Sequence, residues 1–165
     1  MPQVTIAPCL WFDHQAEEAA AFYISIFPNS RVTHVLHYGE AGKEIHGRAP
    51  GSVLTVEFEL DGQPFTALNG GPVFTLNEAV SLQVDVATQK EIDYYWEKLG
   101  AGGDPNAQQC GWLKDKYGVS WQVFPFRAMR ELLNDAKNPK SQRAFAAMME
   151  MKKIDMAALQ RAYDG

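Results

Sequence analysis

The first pattern along the chain is an apolar stretch followed by apolar residues at helical spacing. Val4 to Phe12 has the composition of a strand, and the stripe after it predicts a helix from about Gln15 to Phe27. Asp13 is placed to cap this helix. The apolar stripe consists of Ala16, Ala19, Ala20, Tyr23, Ile26 and Phe27.

Strand-like patterns then replace the helical one. They predict strands at Arg31–Tyr38, Ser52–Leu60 and Gln63–Asn69. The last two are joined by Asp61-Gly62, a pair typical of a type I′ hairpin because both turn residues must accept positive φ.

The same order of elements starts again after Pro72. A strand at Val80–Val86 is followed by Thr88 and Glu91 at the spacing of a capping box. The helix stripe Ile92, Tyr95, Trp96 and Leu99 repeats the first helix with a shift of about 73 residues, which indicates an internal repeat. Strands are predicted at Gln109–Lys114 and Val119–Phe124.

After Pro125 the pattern is helical throughout. It predicts a helix at Ala128–Asn134, a second that starts at Asn138 with Pro139 in its first turn, and a third capped by Asp155. We therefore expect one domain over residues 1–165, with module one at 4–72, module two at 79–125 and a helical tail at 126–165.

Composition narrows the class of protein. Of 165 residues, 46% are hydrophobic and 21% charged, which is typical of a folded globular chain, and the net charge of −5 argues against nucleic-acid binding. The chain shows no apolar stretch long enough to cross a membrane, and residues 1–5 lack the features of a leader. We expect a cytoplasmic protein with neither a nucleic-acid nor a membrane partner.

Several sequence blocks resemble the PhnB-like branch of the vicinal-oxygen-chelate superfamily, which includes glyoxalases, bleomycin resistance proteins and dioxygenases. The blocks are Cys9–Asp13, Ala16–Ala20, Phe22-Tyr23, Ala67–Gly71, Tyr94–Leu99, Cys110–Asp115 and Tyr117–Val123. The resemblance implies an α+β fold in which two βαβββ modules form a curled mixed sheet around a cavity, here with a helical C-terminal extension. Because relatives pair their modules within or between chains, and the tail is rich in methionine, we expect a homodimer.

The resemblance also implies where metal-dependent relatives place their ligands. The corresponding positions here are Ile6, Phe65, Ser81 and Gln122. One neutral amide cannot hold a divalent cation, because such ions need several imidazole, thiolate or carboxylate donors around one point. We therefore expect neither a metal nor any other cofactor.

Two-residue alternation then predicts the lining of the cavity. In this phase Trp11 and Trp121 face the helices, and Trp112 lies at the edge of the cavity. Neutral amides can both donate and accept hydrogen bonds, so the mixed apolar and uncharged polar lining suits a small, partly aromatic or amide-bearing ligand, although these side chains could instead bond one another and a buried water. The predicted ligand-binding residues are Leu10, Phe65, Asn69, Ser81, Gln83, Trp112, Ser120, Gln122 and Phe124.

Three functions follow from this set. The favoured one is a metal-independent small-molecule-binding protein with an unknown substrate, and the sequence leaves open whether it catalyses a reaction. The first alternative is a metal-dependent lyase, isomerase or dioxygenase, which the missing ligands oppose. The second is a methyltransferase, since relatives carry a demethylubiquinone methyltransferase label, but no Gly-x-Gly-x-x-Gly follows a strand.

Overall fold

A computed structural model of the chain describes residues 4–165, so the predicted absence of a leader falls partly outside the described residues. The chain divides into two compact units, with the boundary between Leu76 and Asn77. Each unit contains one mixed β-sheet.

The first unit is a four-stranded sheet with one long helix and one short helix. Its elements are β1 (Cys9–Phe12), α1 (Ala16–Ile26), β2 (Arg31–His37), α2 (Lys43–His46), β3 (Val53–Leu60) and β4 (Gln63–Asn69). The strand order is β1-β4-β3-β2, in which β1 is parallel to β4 and the other pairs are antiparallel. The core lies between α1 and one face of this sheet, where the rings of Tyr23 and Phe58 stack.

The first strand is shorter than the sequence pattern predicts. Residues 4–8 lie outside β1 and are exposed, and Ile6 is 92% exposed. Pro8 has no backbone N–H to donate to a ladder, although its carbonyl accepts the N–H of Thr66 at 2.9 Å.

The second unit joins a three-stranded sheet to four helices and one 3₁₀ turn. Its elements are β5 (Leu82–Asp85), α3 (Gln89–Gly100), the 3₁₀ turn Pro105–Ala107, β6 (Trp112–Lys114), β7 (Ser120–Phe124), α4 (Phe126–Leu133), α5 (Pro139–Met149) and α6 (Met156–Asp164). The strand order is β5-β7-β6, with β5 parallel and β6 antiparallel to β7. The second sheet thus has the three strands that the sequence pattern predicts for module two, and the 3₁₀ turn follows α3 where β2 follows α1 in module one.

Local signals at helix ends and turns are confirmed. The capping box joins Thr88 and Glu91, and α1 and α3 both begin at the repeat positions, Ala16 and Gln89. Asp61 and Gly62 both have positive φ, 46° and 81°, as the type I′ turn requires. Asn138 and Asp155 cap α5 and α6.

The helical extension is bonded to its own module. The backbone N–H groups of Cys110 and Gly111 donate to the carbonyls of Met151 and Lys152 at 2.8 and 2.7 Å. The Gln89 amide donates to the Ile154 carbonyl and accepts the N–H of Met156. The tail also contributes buried apolar side chains, namely Met129, Ala144, Met148, Ile154 and Leu159.

Between residues 4 and 165, none of the helices has both the length and the apolar character needed to cross a membrane.

Candidate functional site

One row of side chains runs across all three strands of the second sheet. The register pairs Gln83 of β5 with Gln122 of β7, and Gln122 with Trp112 of β6. Residues paired across neighbouring strands point to the same face of a sheet. Two amides and an indole therefore lie side by side.

The opposite face of this sheet is the core. Trp121, Leu113 and Val123 on that face are at most 2% exposed. A Cβ added at Gly100 of α3 would lie 4.0 Å from the Leu113 side chain, so α3 covers this face. The row of Gln83, Gln122 and Trp112 faces away from α3, and the predicted orientation of Trp121 toward the helix is confirmed.

Gln122 is held at the centre of the row by a neighbouring hydroxyl. Its side-chain nitrogen donates to Ser81 Oγ at 2.7 Å. This bond uses one of the two amide N–H groups and neither lone pair of the amide oxygen. The amide thus keeps donor and acceptor capacity for a further partner.

Two more predicted residues share the face by alternation along β7. The ring of Phe124 lies 5.1 Å from the ring of Phe126. Ser120 is buried, and within the described part of the chain its hydroxyl has no hydrogen-bond partner. Lys114, paired with Ser120 across the ladder, forms an ion pair with Glu78 that lowers the pKa of this carboxyl.

In the first unit, the prediction of which strand side chains face the cavity and which face the helix is wrong. Leu10 and Asn69 are buried on the face that packs against α1, and Phe65 stacks on Phe58, which in turn stacks on Tyr23 of α1. Trp11 lies on the other face, not against the helix. Shifting the phase by one residue exchanges the two faces of a strand, so all these assignments reverse together.

Asn69 has a structural task at the start of α1. Its side-chain oxygen accepts the N–H of Ala16 at 2.8 Å, and its side-chain nitrogen donates to the Val53 carbonyl at 3.1 Å. This contact satisfies one of the free N–H groups at the helix start. The prediction that Asp13 caps α1 is therefore wrong.

Asp13 instead binds the loop before β3. Nη2 of Arg48 donates to the Asp13 carbonyl at 2.7 Å and to its carboxylate at 3.2 Å. Hydrogen bonds from Arg48 and then His14 lower the pKa of Asp13. The sequence carries no spacing signal for this contact, because it joins residues 35 apart.

The Asn-Gly-Gly segment after β4 accommodates Trp11. A Cβ at Gly70 would lie 2.1 Å from Trp11 Cζ2, so no side chain fits there. The indole N–H of Trp11 donates to the Gly71 carbonyl at 2.8 Å. Packing around Trp11 thus explains part of the Ala67–Gly71 block, in which the sequence pattern predicts a ligand-binding residue, Asn69.

The four positions that correspond to metal ligands in relatives are divided between the two units, with Ile6 and Phe65 in the first and Ser81 and Gln122 in the second. Ser81 and Gln122 are hydrogen-bonded to each other, Phe65 packs on Phe58, and Ile6 precedes β1. Over residues 4–165, the structure contains no group of three or more His, Cys, Asp or Glu side chains that could hold a metal ion.

The mixed sheets of four and three strands, each with a covering helix, and the C-terminal helices define a protein of the vicinal-oxygen-chelate fold. Residues 4–124 match the family model described as 3-demethylubiquinone-9 3-methyltransferase, and the chain belongs to this PhnB-like family. None of the curated proteins compared with the chain matches it.

Two solved structures illustrate the likeness. The PhnB protein from Bacillus cereus is 36% identical over 72% of this chain and 97% of its own, with a TM-score of 0.60. Protein PA1353 from Pseudomonas aeruginosa is 17% identical over 72% of this chain and 95% of its own, with a TM-score of 0.55, and shares the fold.

Proposed function

We propose that this protein binds a small uncharged molecule on the face of the second sheet that carries Gln83, Gln122 and Trp112. The observation that carries the proposal is the row of two amides and one indole across three strands. Amides offer donors and acceptors together, and an indole offers a flat apolar surface. This combination suits a planar ligand with an amide-like group.

Ser81, Ser120 and Phe124 complete the proposed site. Ser81 orients the Gln122 amide, and Ser120 supplies a buried hydroxyl without a partner among the described residues. Since Leu10, Phe65 and Asn69 pack against α1, the proposal does not use them.

We propose further that binding needs no metal. Support comes from the side chains, since serine and glutamine are weak ligands for the divalent cations that relatives of this fold bind. Methyl transfer, which the family description names, is not favoured by a specific observation. Neither sheet is a doubly wound parallel sheet with a glycine-rich turn for a nucleotide cofactor, in the part of the chain described.

The test uses benzamide as the probe, because its ring can stack on Trp112 while its amide pairs with Gln122. Binding is followed by the backbone and indole NMR shifts of the full-length protein. Gln122→Leu should weaken binding by about 1–3 kcal/mol while the fold survives, because the probe loses a polar partner. Gln63→Leu, at an exposed position of β4, is the matched control and should bind benzamide normally.

Two results would overturn the proposal. One is an absence of saturable shifts on this face with benzamide. The other is a Gln122→Leu variant with unchanged binding and a clearly reduced melting temperature, which would assign the amide to structure. Native mass spectrometry of protein purified without added metal tests the proposed metal independence, because a stoichiometric divalent ion would contradict it.

A further inference from the structure

The helical extension contains a cavity of its own. It lies where α4 ends and α5 begins, has a volume of about 430 Å³, and is lined by Leu133, Ala136, Ser141, Gln142 and Phe145. The family match ends at residue 124, so this cavity belongs to a segment that the family model does not cover. It is separate from the proposed site on the sheet.

The size and the wall of the cavity are those of a ligand pocket. Pockets that bind small molecules commonly measure about 300–1,000 Å³ and have mainly apolar walls with a few polar groups. Leu133, Ala136 and Phe145 supply the apolar wall here. Phe145 is half exposed, so part of its ring is available to a molecule in the cavity.

The polar group of the wall is Ser141. The residue is 3% exposed, and its hydroxyl has no hydrogen-bond partner within residues 4–165. Buried hydroxyls are normally paired, so this one has hydrogen-bonding capacity left for a bound group. The other polar member, Gln142, is already engaged, since its side-chain nitrogen donates to the Ala136 carbonyl.

The surrounding charges define the ligand more closely. None of the five lining residues is charged. Two nearby cations on α5 are engaged elsewhere, since the Lys140 ammonium lies over the Tyr163 ring and Arg143 donates to the carbonyls of Ala162 and Tyr163. Ser141 lies in the first turn of α5, where the helix dipole favours an electron-rich atom.

We infer that this cavity binds a small, uncharged, mainly apolar molecule with one hydrogen-bond-accepting oxygen, which takes its hydrogen bond from the Ser141 hydroxyl.

Two related probes test the inference on the full-length protein. Acetophenone and ethylbenzene have the same ring and the same two-carbon chain, and they differ in the carbonyl oxygen. Binding is followed by the backbone NMR shifts of residues 131–145. We expect saturable shifts with both probes and an affinity for acetophenone about fivefold higher or more, because only acetophenone accepts a hydrogen bond.

Two variants locate the effect. Ser141→Ala should remove the preference for acetophenone while ethylbenzene still binds, and Ala136→Leu should abolish binding of both probes by filling the cavity. Ser25→Ala is the matched control, because it removes an exposed hydroxyl of α1 that is bonded to the Phe22 carbonyl. It should leave both affinities unchanged.

The inference fails if neither probe shifts residues 131–145 of the wild-type protein, or if ethylbenzene binds as tightly as acetophenone. It also fails if the preference for acetophenone survives in Ser141→Ala, or if Ala136→Leu binds both probes normally. None of these results bears on benzamide at the sheet, so the two proposals can fail independently.

Discussion

At the scale of single residues, the polar side chains in the sequence blocks shared with the family differ in how many of their hydrogen-bonding groups are already occupied. Asn69 is occupied at both ends of its amide, by Ala16 and Val53. Gln122 donates one hydrogen bond to Ser81, and its amide can form further hydrogen bonds. Both are polar residues on a strand, and only their contacts distinguish a helix cap from a candidate ligand-binding group.

Replacement of Gly70 by alanine should be costly. The added Cβ would lie within 2.4 Å of three Trp11 ring atoms, so the indole or the backbone must move. We expect the free energy of unfolding to fall by about 1–3 kcal/mol, as for other overpacked sites. Denaturant unfolding measures this.

Gly39→Ala is the control for that variant, because an added Cβ there meets no atom within 4 Å. Equal losses in the two variants would contradict the packing explanation and point to a general effect of losing glycine.

Glu91 should contribute a stabilisation that is sensitive to acid. Hydrogen bonds from the N–H of Ala87 and from the hydroxyl and N–H of Thr88 lower the pKa of Glu91 below its ordinary value of 4.5. The contribution is present above this value and is lost as the pH falls through the lower folded pKa. Glu91→Gln keeps a capping side chain that does not titrate, so its melting temperature should fall less between pH 5 and pH 3.

The matched control for this comparison is Glu97→Gln, on the exposed side of the same helix. If Glu91→Gln and the wild-type protein lose stability in parallel on acidification, the capping carboxylate does not contribute as argued.

At the scale of elements, the β6–β7 hairpin is organised by a single buried carboxylate. Asp115 is 3% exposed and accepts hydrogen bonds from the N–H groups of Tyr117 and Val119 and from the indole N–H of Trp121, at 2.8, 3.0 and 2.8 Å. It thereby connects the turn to the core face of β7. Since Gln122 follows Trp121 directly, the same contacts orient the row that we propose binds a ligand.

Asp115→Ala should therefore destabilise the second unit. The variant leaves three N–H donors without their acceptor, and we expect the free energy of unfolding to fall by about 1–3 kcal/mol or more. Thermal unfolding followed by tryptophan fluorescence measures the loss. Asp104→Ala removes an exposed carboxylate that caps the 3₁₀ turn, and it should have a smaller effect.

At the scale of the whole molecule, the remaining apolar surface bears on assembly. The tail contributes buried apolar side chains to its own module, but Phe145 and Met149 of α5 are still about half exposed. These two side chains lie one helical turn apart, so they share one face of α5 that a second copy of the chain could cover. We therefore keep the homodimer as a proposal, with α5 as the contact.

Light scattering should give a mass of about twice 18.4 kDa for the protein at micromolar concentration. Met149→Lys places a charge on the exposed face of α5 and should shift the protein toward the monomer. Ile45→Lys, at an exposed apolar position of α2, is the control and should not. A wild-type mass of one chain would contradict the proposal.

Removal of divalent metal should leave the protein equally stable. Metal that binds only the folded state raises its stability by mass action, so an occupied site would be revealed by chelation. We expect the same melting temperature with and without EDTA. A decrease that one divalent ion reverses would contradict metal independence.

Local features of this fold could be read from the sequence alone. The capping box at Thr88, the Asp61-Gly62 turn and the caps at Asn138 and Asp155 were all predictable. Each depends on residues within about four positions of one another, so nearby side-chain chemistry is sufficient to determine them.

Only the tertiary structure decided which face of each sheet a helix covers and which partners the polar side chains bond. Alternation assigned Gln83 and Gln122 correctly to one face, yet the same rule reversed Leu10 and Trp11, because period two defines two faces without saying which of them a helix covers. The contacts Asn69–Ala16 and Arg48–Asp13 join residues 53 and 35 positions apart, and no local pattern encodes them. Such pairs form only when the chain has folded and distant segments lie side by side, as β1 and β4 do in their parallel ladder.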